Sequence, residues 1–188
     1  MRAVVGLGNP GPEYAPTRHN AGFWVLERLL GRGGWSRRRH PWGEIYLRGG
    51  AVLLRPLTYM NRSGEAVAAL RELFPIAIED LLVVYDDVDL PVGEVRLRPG
   101  GGPGTHRGMR SVLAALGTEA VPRLRVGIGF PPPEVELSQY VLSPPLPEEV
   151  SVLSSSADWA AELAWEFLQG GLQAALDVYA RARKQGRV

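Results

Sequence analysis

His19 is the strongest candidate for chemistry in this 188-residue sequence. It ends a polar segment that follows the apolar run 2–7, and a helical pattern begins directly after it. The sites of α/β proteins commonly lie where strands end. A lone histidine is also often structural. To act as a general base, His19 needs a partner that fixes one ring nitrogen as donor and leaves the other as acceptor.

Three carboxylates follow another apolar run, at Asp86, Asp87 and Asp89. One of them could orient His19, because a carboxylate accepts a hydrogen bond from imidazole. They could also shape a turn, which is common for aspartate. A weak Mg²⁺ site is a third possibility, although no two histidines have the spacing of paired metal ligands. The sequence pattern leaves these three interpretations open.

Two further clusters carry polar groups. Residues 56–64 end a strand and open a helix, so Asn61 or Ser63 could be a helix N-cap, which leaves the other polar group and the pair Tyr59-Met60 without an explanation. Residues 100–108 contain five glycines and expose backbone amides, which suits a mobile lid or a bound phosphate. The segment 6–11 matches G-x-G-x-x-G, but the prolines after it prevent the helix that a dinucleotide site requires.

The elements that must position these residues alternate along the chain. Apolar runs predict strands at 2–7, 44–48, 51–56, 80–87, 93–99 and 123–130. Helical spacing predicts helices at 22–31, 63–74, 109–117, 147–169 and 172–184. Because Gly49-Gly50 joins two of the strands as a hairpin, the pattern predicts one α/β domain around a mixed sheet.

Composition narrows the class of protein. With 45% hydrophobic residues and a net charge of +1, the chain can bury a core. It contains no cysteine, which excludes disulfides, thiolate zinc sites and a cysteine nucleophile. No apolar run reaches the length of a membrane span, and no signal sequence is evident. We therefore expect a cytoplasmic protein with no membrane association.

The small net charge conceals strongly charged blocks. Residues 1–62 carry ten arginines against three acids, and residues 96–129 carry six arginines against one acid. Residues 130–180 carry eight acids and no basic residue. Opposite blocks could cancel on a solvated surface. Alternatively, the basic blocks could form one face for a polyanion, and Arg37, Arg38 and Arg39, which lie between two tryptophans, favour nucleic acid.

Taken together, the four clusters resemble the bacterial peptidyl-tRNA hydrolase family. The similar stretches are 5–29, 53–67, 81–108 and 123–131, and the resemblance extends to about residue 185. It implies a monomeric three-layer α/β/α sandwich around a twisted mixed sheet, formed by residues 1–188 as one domain. The implied reaction is hydrolysis of the ester that joins a peptide to the terminal ribose of tRNA. An ester is activated enough that a base and amide donors suffice, so no metal, cofactor or obligate protein partner is expected.

The resemblance also implies roles for individual residues. His19 corresponds to the general base, Asp86 to its stabilising carboxylate, and Asn9 to the residue that distinguishes N-blocked from free aminoacyl groups. Positions that contact the acyl and ribose end of the substrate are Tyr14, Tyr59, Met60 and Asn61, and Arg107 is placed with them. Arg98, Arg110 and Arg125 are candidate contacts for acceptor-stem phosphates.

One position departs from the family pattern. The family usually has His-Asn-Gly where this chain has His106-Arg107-Gly108, and arginine donates hydrogen bonds but cannot accept one. Its guanidinium could grip a phosphate or an oxyanion, or only its backbone could contribute. A non-catalytic RNA-binding relative and a different ester or amide hydrolase are the alternative functions, and the intact candidate residues disfavour the former.

Overall fold

The computed structural model describes residues 1–186, and the last two residues of the predicted domain 1–188 lie outside them. The strands are β1 (Arg2–Gly6), β2 (Ser36–His40), β3 (Gly43–Arg48), β4 (Ala51–Pro56), β5 (Leu81–Asp87), β6 (Val95–Arg98) and β7 (Arg123–Gly127). The α-helices are α1 (Ala21–Leu30), α2 (Ser63–Leu73), α3 (Arg107–Leu116), α4 (Leu137–Val141) and α5 (Val150–Lys184). Short 3-10 turns precede α1, α2, β5 and α5.

The seven strands form one mixed sheet in the order β2-β3-β4-β1-β5-β7-β6. The four central strands β4, β1, β5 and β7 are parallel to one another. At the edges, β2, β3 and β6 pair antiparallel with their neighbours. The loops that leave β1, β4 and β5 therefore emerge at the same edge of the sheet, where their polar residues can meet.

Helices cover both faces of the sheet and confirm the α/β/α sandwich. On one face, α1 and α5 pack on Val4 of β1 and on the neighbouring strand residues Leu53 and Leu82. On the other face, α2 and α3 pack on Ala3 and Val5 of β1. Alternate residues of β1 thus enter different halves of the core, which explains why its sequence is apolar throughout.

Most predicted elements are confirmed, and the differences have physical causes. Strand β2 has the sequence SRRRH and was not predicted, because an edge strand exposed along its length shows no apolar alternation. The short helix α4 covers a segment for which no element type was predicted. The two predicted C-terminal helices are continuous apart from a kink at Gly171, whose φ of 85° interrupts the helical backbone.

Candidate active site

Helix α1 brings His19 onto the carboxyl ends of β1 and β5. His19 lies in the 3-10 turn just before α1. Gly22, in the first turn of α1, lies so close to the sheet that a Cβ would overlap backbone atoms of Leu7 and Val84. This close approach sets the distance between the histidine and the end of β5.

His19, Asp86 and His106 form a continuous hydrogen-bonded group. Asp86 is buried near the end of β5, with its Oδ2 2.7 Å from His19 Nδ1 and its Oδ1 2.9 Å from His106 Nε2. His106 Nδ1 accepts a hydrogen bond from the Met109 amide at 3.0 Å. The proton of the His106 ring is therefore on Nε2, which donates it in the hydrogen bond to Asp86. Because the carboxylate likewise accepts a hydrogen bond from the Nδ1–H of His19, the Nε2 atom of that ring is left as an acceptor. Within residues 1–186, His19 Nε2 has no hydrogen-bond partner.

The ionisation of this group is set by burial and by the two partners of the carboxylate. Burial lowers the pKa of His19, but the charge of Asp86 and its hydrogen bond outweigh burial and raise that pKa above its ordinary value. Burial works against the charged form of Asp86 as well, yet His19 and His106 hold the pKa of this carboxyl well below its ordinary value. Asp86 is therefore a carboxylate wherever the protein is folded near neutral pH.

The same three side chains are the one group of metal-ligand type among residues 1–186, with their nearest ligand atoms within 4.8 Å of one another. Those atoms are already joined by hydrogen bonds, since Asp86 accepts one from an N–H group of each ring. A divalent ion at the centre would have to displace both N–H protons. The arrangement is suited to holding a base in one tautomer.

Asn9 is clamped so that its amide nitrogen is left for a ligand. Its backbone N–H donates to Asn20 Oδ1 at 2.9 Å, and Asn20 Nδ2 donates back to the Asn9 carbonyl at 3.0 Å. Asn9 Oδ1 accepts from the backbone amide of Met60 at 2.7 Å. Within the described residues, Nδ2 of Asn9 makes no hydrogen bond, and this side chain lines the cleft.

Tyr59 has the only positive φ among the described residues other than glycine, at 61°. This unfavourable conformation directly precedes the Met60 amide that fixes Asn9, and such strain is typical of functional sites. The Tyr59 side chain is 53% exposed and meets Tyr14 edge to face, with 6.4 Å between ring centroids. Neither tyrosine lines the cleft itself, whereas Met60 and Asn61 do.

The cleft at this edge of the sheet has a volume of about 650 Å³. Asn9, His19, Asp86 and His106 lie on one side, and Leu137, Ser138, Val141 and Leu142 of the α4 region form another wall. Arg18, which precedes His19, connects the side of the cleft that holds His19 to the α4 region. Its buried guanidinium donates to the Tyr140 carbonyl at 3.2 Å, stacks on the Tyr140 ring at 4.0 Å and pairs with Glu149 at 3.1 Å.

The structure places the candidate arginines differently. Arg107 and Arg110 line the cleft from the first turn of α3, and Arg125 lines it while paired with Asp87 at 2.9 Å. Arg107 is close enough for its charge to lower the pKa of His19. Arg98 pairs with Arg123 at the start of β7, which is the end of that strand away from the cleft, and Arg98 does not line the cleft.

Comparison with known proteins identifies the family to which this geometry belongs. Residues 3–186 match the family model described as peptidyl-tRNA hydrolase. The chain belongs to the peptidyl-tRNA hydrolase family. The peptidyl-tRNA hydrolase of Chloroflexus aggregans is 47% identical over 185 residues, which cover 95% of this chain and 98% of that protein. The enzyme of Symbiobacterium thermophilum is 43% identical, with coverage of 95% and 98%.

Solved structures of the peptidyl-tRNA hydrolase family share the fold. The crystal structure from Acinetobacter baumannii superposes with a TM-score of 0.83 at 38% identity, covering 90% of this chain and 89% of that one. A mutant of the Acinetobacter baumannii enzyme gives a TM-score of 0.87 at 37% identity, covering 94% and 93%. The chain is therefore a member of an enzyme family, with the architecture of that family.

Sequence reasoning had left two members of the site without a role. His106 was noticed only as part of the glycine-rich segment, although it supplies the second hydrogen bond to Asp86 and caps α3. Asn20 was given no role, because its hydrogen bonds to Asn9 depend on a contact across a loop. The scarcity of asparagine was the available signal, since all three asparagines of the chain, Asn9, Asn20 and Asn61, lie at this site.

Proposed function

We propose that this protein hydrolyses the ester between the C-terminus of a peptide and the terminal ribose of tRNA, with His19 as general base. The observation that carries the proposal is the fixed tautomer of His19. Asp86 accepts a hydrogen bond from His19 Nδ1–H at 2.7 Å, and the ring offers Nε2 to the cleft as an acceptor. A water between this nitrogen and a bound ester is in the position to be deprotonated.

The reaction then needs only groups that the cleft contains. His19 takes a proton from water, whose oxygen attacks the ester carbonyl, and the tetrahedral intermediate expels the ribose oxygen. The imidazolium returns that proton to the ribose oxygen, which gives a free ribose hydroxyl. The other product is a peptide carboxylic acid, which releases the second proton of the water to solvent and becomes a carboxylate. Asp86 stabilises the imidazolium while it exists, because it is held as a carboxylate by two hydrogen bonds.

Asn9 supports selectivity for peptides over single amino acids. Its two Nδ2 protons face the cleft as donors because Met60 occupies the oxygen. An N-blocked residue presents an amide carbonyl that can accept one of these protons. A free aminoacyl ester presents an ammonium group there, and this group, like Asn9 Nδ2, can only donate hydrogen bonds, so the two cannot pair. Tyr14, Tyr59, Met60 and Asn61 are proposed to contact the acyl and ribose end beside Asn9.

The substrate also requires a surface for RNA. Arg107, Arg110 and Arg125 at the cleft support binding of the acceptor end, and Arg98 stays a predicted phosphate contact farther along β6. Among residues 1–186, no helix is both long and apolar enough to cross a membrane. We further propose that the enzyme works in the cytoplasm as a monomer, without an obligate protein partner or cofactor.

His19→Ala tests the mechanism. We expect turnover of N-acetyl-aminoacyl-tRNA to fall by roughly 10²–10⁴-fold, the range for loss of a general base, with tRNA affinity retained. His40→Ala is the matched control, because His40 lies on the edge strand β2 and stacks on Trp42 away from the cleft. Activity of His19→Ala within threefold of the wild type would overturn the mechanism.

Unblocked aminoacyl-tRNA, assayed in parallel, separates the alternatives. We expect the wild type to prefer the N-acetylated substrate strongly. If the wild type binds tRNA but hydrolyses neither substrate, the non-catalytic RNA-binding alternative is correct. If it cleaves small uncharged esters as readily as the tRNA ester, it is a different hydrolase.

A further inference from the structure

Two arginines at the cleft stand apart from the other cations near it. Arg107 and Arg110 are exposed and lie in the first turn of α3. Within residues 1–186, neither guanidinium forms an ion pair or a side-chain hydrogen bond. By contrast, Arg125 is paired with Asp87, and Arg18 is buried against Glu149. The cleft thus holds two positive side chains whose hydrogen-bonding capacity is unused.

The backbone adds to this positive charge. Arg107 and Gly108 are the first two residues of α3, where backbone amides point out of the end of the helix. The His106 side chain caps the amide of Met109 and not the amides of these two residues. The influence of Arg107 on the pKa of His19 shows that its charge is felt inside the cleft. An anion bound here would be met by two guanidinium groups and by the positive end of the helix.

The chemistry of the substrate limits what this anion can be. In peptidyl-tRNA the C-terminal carboxyl of the peptide is esterified and carries no charge. The fixed negative charges near the reacting bond are the phosphodiesters of the acceptor strand, and the first of them is one ribose away from the ester. A developing oxyanion is a poorer match, since its stabilisation is effective in a site without water, and both arginines are exposed whereas Asn9 is 8% exposed.

We propose that Arg107 and Arg110 form a clamp for the phosphodiester that links the last two nucleotides of the tRNA acceptor end. This inference rests on the proposed function, because it takes peptidyl-tRNA as the substrate. The clamp fixes the terminal ribose relative to His19 and contributes binding energy at the nucleotide that carries the ester. Arg107 is thereby a specificity residue for nucleotide-linked esters.

Direct binding of two small probes tests the clamp without any need for turnover. Adenosine has no phosphate, and cytidylyl-(3′→5′)-adenosine has the one phosphodiester in question. In NMR titrations of the wild type, we expect the dinucleotide to bind about tenfold or more tightly than adenosine, the effect expected of charge-assisted hydrogen bonds. Arg107→Gln should remove most of this preference, and Arg110→Gln part of it. Arg181→Gln is the control and should keep the preference, because Arg181 is exposed on α5 and does not line the cleft.

Three results of these titrations would overturn the clamp: equal binding of the two probes by the wild type, no detectable binding of the dinucleotide, or a preference that survives both cleft variants. The proposed function fails in a different way, namely if the wild type does not hydrolyse N-acetyl-aminoacyl-tRNA. In Arg107→Gln we also expect KM for that substrate to rise more than kcat falls. A loss confined to kcat would place Arg107 at the oxyanion and contradict the clamp.

The pH profile gives a readout that a merely structural role would not move. The charged or titratable groups around His19 are Asp86, His106 and Arg107, and the cleft also holds Asp87, Asp89, Arg110, Arg125 and Glu136. A phosphate bound to Arg107 neutralises its charge, so the acid limb of kcat should lie at higher pH than that of kcat/KM. In Arg107→Gln this charge is absent from the free enzyme, so the acid limb of kcat/KM should shift to higher pH and approach the acid limb of kcat. Limbs that do not move would show that the guanidinium points away from the cleft.

Discussion

Asp86 accepts a hydrogen bond on each of its carboxylate oxygens, and this pair of contacts explains how one residue could both orient and stabilise the proposed base. His106 holds one oxygen at 2.9 Å, which leaves the other aimed at His19 at 2.7 Å. The amide of Met109 in turn fixes the ring of His106. The site therefore holds the reactive imidazole through a chain of groups that ends in the backbone of α3.

Asp86→Asn is expected to lower turnover and to shift the acid limb of the pH–rate profile to lower pH. The proposed mechanism requires unprotonated His19, and Asp86 raises the pKa of that ring against the effect of burial. Without the carboxylate, burial dominates, the pKa falls, and the base stays unprotonated at lower pH. The amide can also donate to Nδ1, which would move the proton to Nε2 and block the base.

The pH dependence of kcat/KM for N-acetyl-aminoacyl-tRNA measures this shift. Asp87→Asn serves as the comparison, because Asp87 pairs with Arg125 and is one residue further along. If the limb moves in Asp87→Asn and not in Asp86→Asn, the orienting carboxylate has been assigned to the wrong residue.

At the scale of elements, the site depends on how closely helices approach the ends of strands. Gly22 lets α1 lie against the backbone of Leu7 and Val84, and Gly64 lets α2 approach the backbone of Ser111 in α3. The first contact places His19 and the second places the start of α3, with His106 and Arg107. The geometry of the proposed base and of the proposed clamp thus depends on packing distances that only glycine allows.

Gly22→Ala should destabilise the protein and slow the reaction together. The added methyl group meets backbone atoms, which cannot move aside as a side chain can, so α1 must shift outward. We expect a loss of about 1–3 kcal/mol in the free energy of unfolding, the usual cost of overpacking, and a lower kcat. Denaturant unfolding and turnover measure the two effects.

Gly50→Ala is the matched control for this substitution. A Cβ at Gly50 would meet no atom within 4 Å, and its φ is not in the left-handed region. It should therefore change neither stability nor rate appreciably. Equal losses in the two variants would mean that the close packing of α1 does not position the base.

Across the whole molecule, the charged blocks of the sequence behave in two ways. Basic residues of the first block pair with acids of the 130–180 block where α1 packs on α5, as in Arg28 with Asp158 at 2.9 Å. The arginines at the start of α3 are not cancelled in this way and face the cleft. Opposite blocks thus cancel where the helices pack, and a basic face for a polyanion stays a prediction that the unpaired arginines of α3 support.

Binding of tRNA should accordingly weaken steeply as salt concentration rises. Each phosphate contact contributes a log–log slope of roughly −0.7 to −0.9 through release of counterions. Arg110→Ala should flatten the slope by about one contact, and Arg98→Ala and Arg125→Ala test whether the RNA reaches β6 and β7. Binding titrations over a range of salt concentrations measure these slopes, and salt-insensitive binding would place recognition elsewhere.

The amino-acid sequence alone determined the class of fold and most of its elements, and it singled out the candidate base. Apolar runs and helical spacing depend on local geometry, so they located β1, β5 and α3 to within a few residues. The family resemblance rests on residue types in order, which is why His19, Asp86 and Asn9 could be named before any coordinates.

Only the tertiary structure decided how these residues act. The second hydrogen bond from His106 joins positions 20 residues apart, and the Met60 contact that turns the Asn9 amide joins positions 51 apart. The exposed strand β2 was invisible because its polar residues follow no period. Whether an arginine is paired, like Arg125, or unpaired, like Arg107, depends on which strands and helices become neighbours, and no local pattern encodes that.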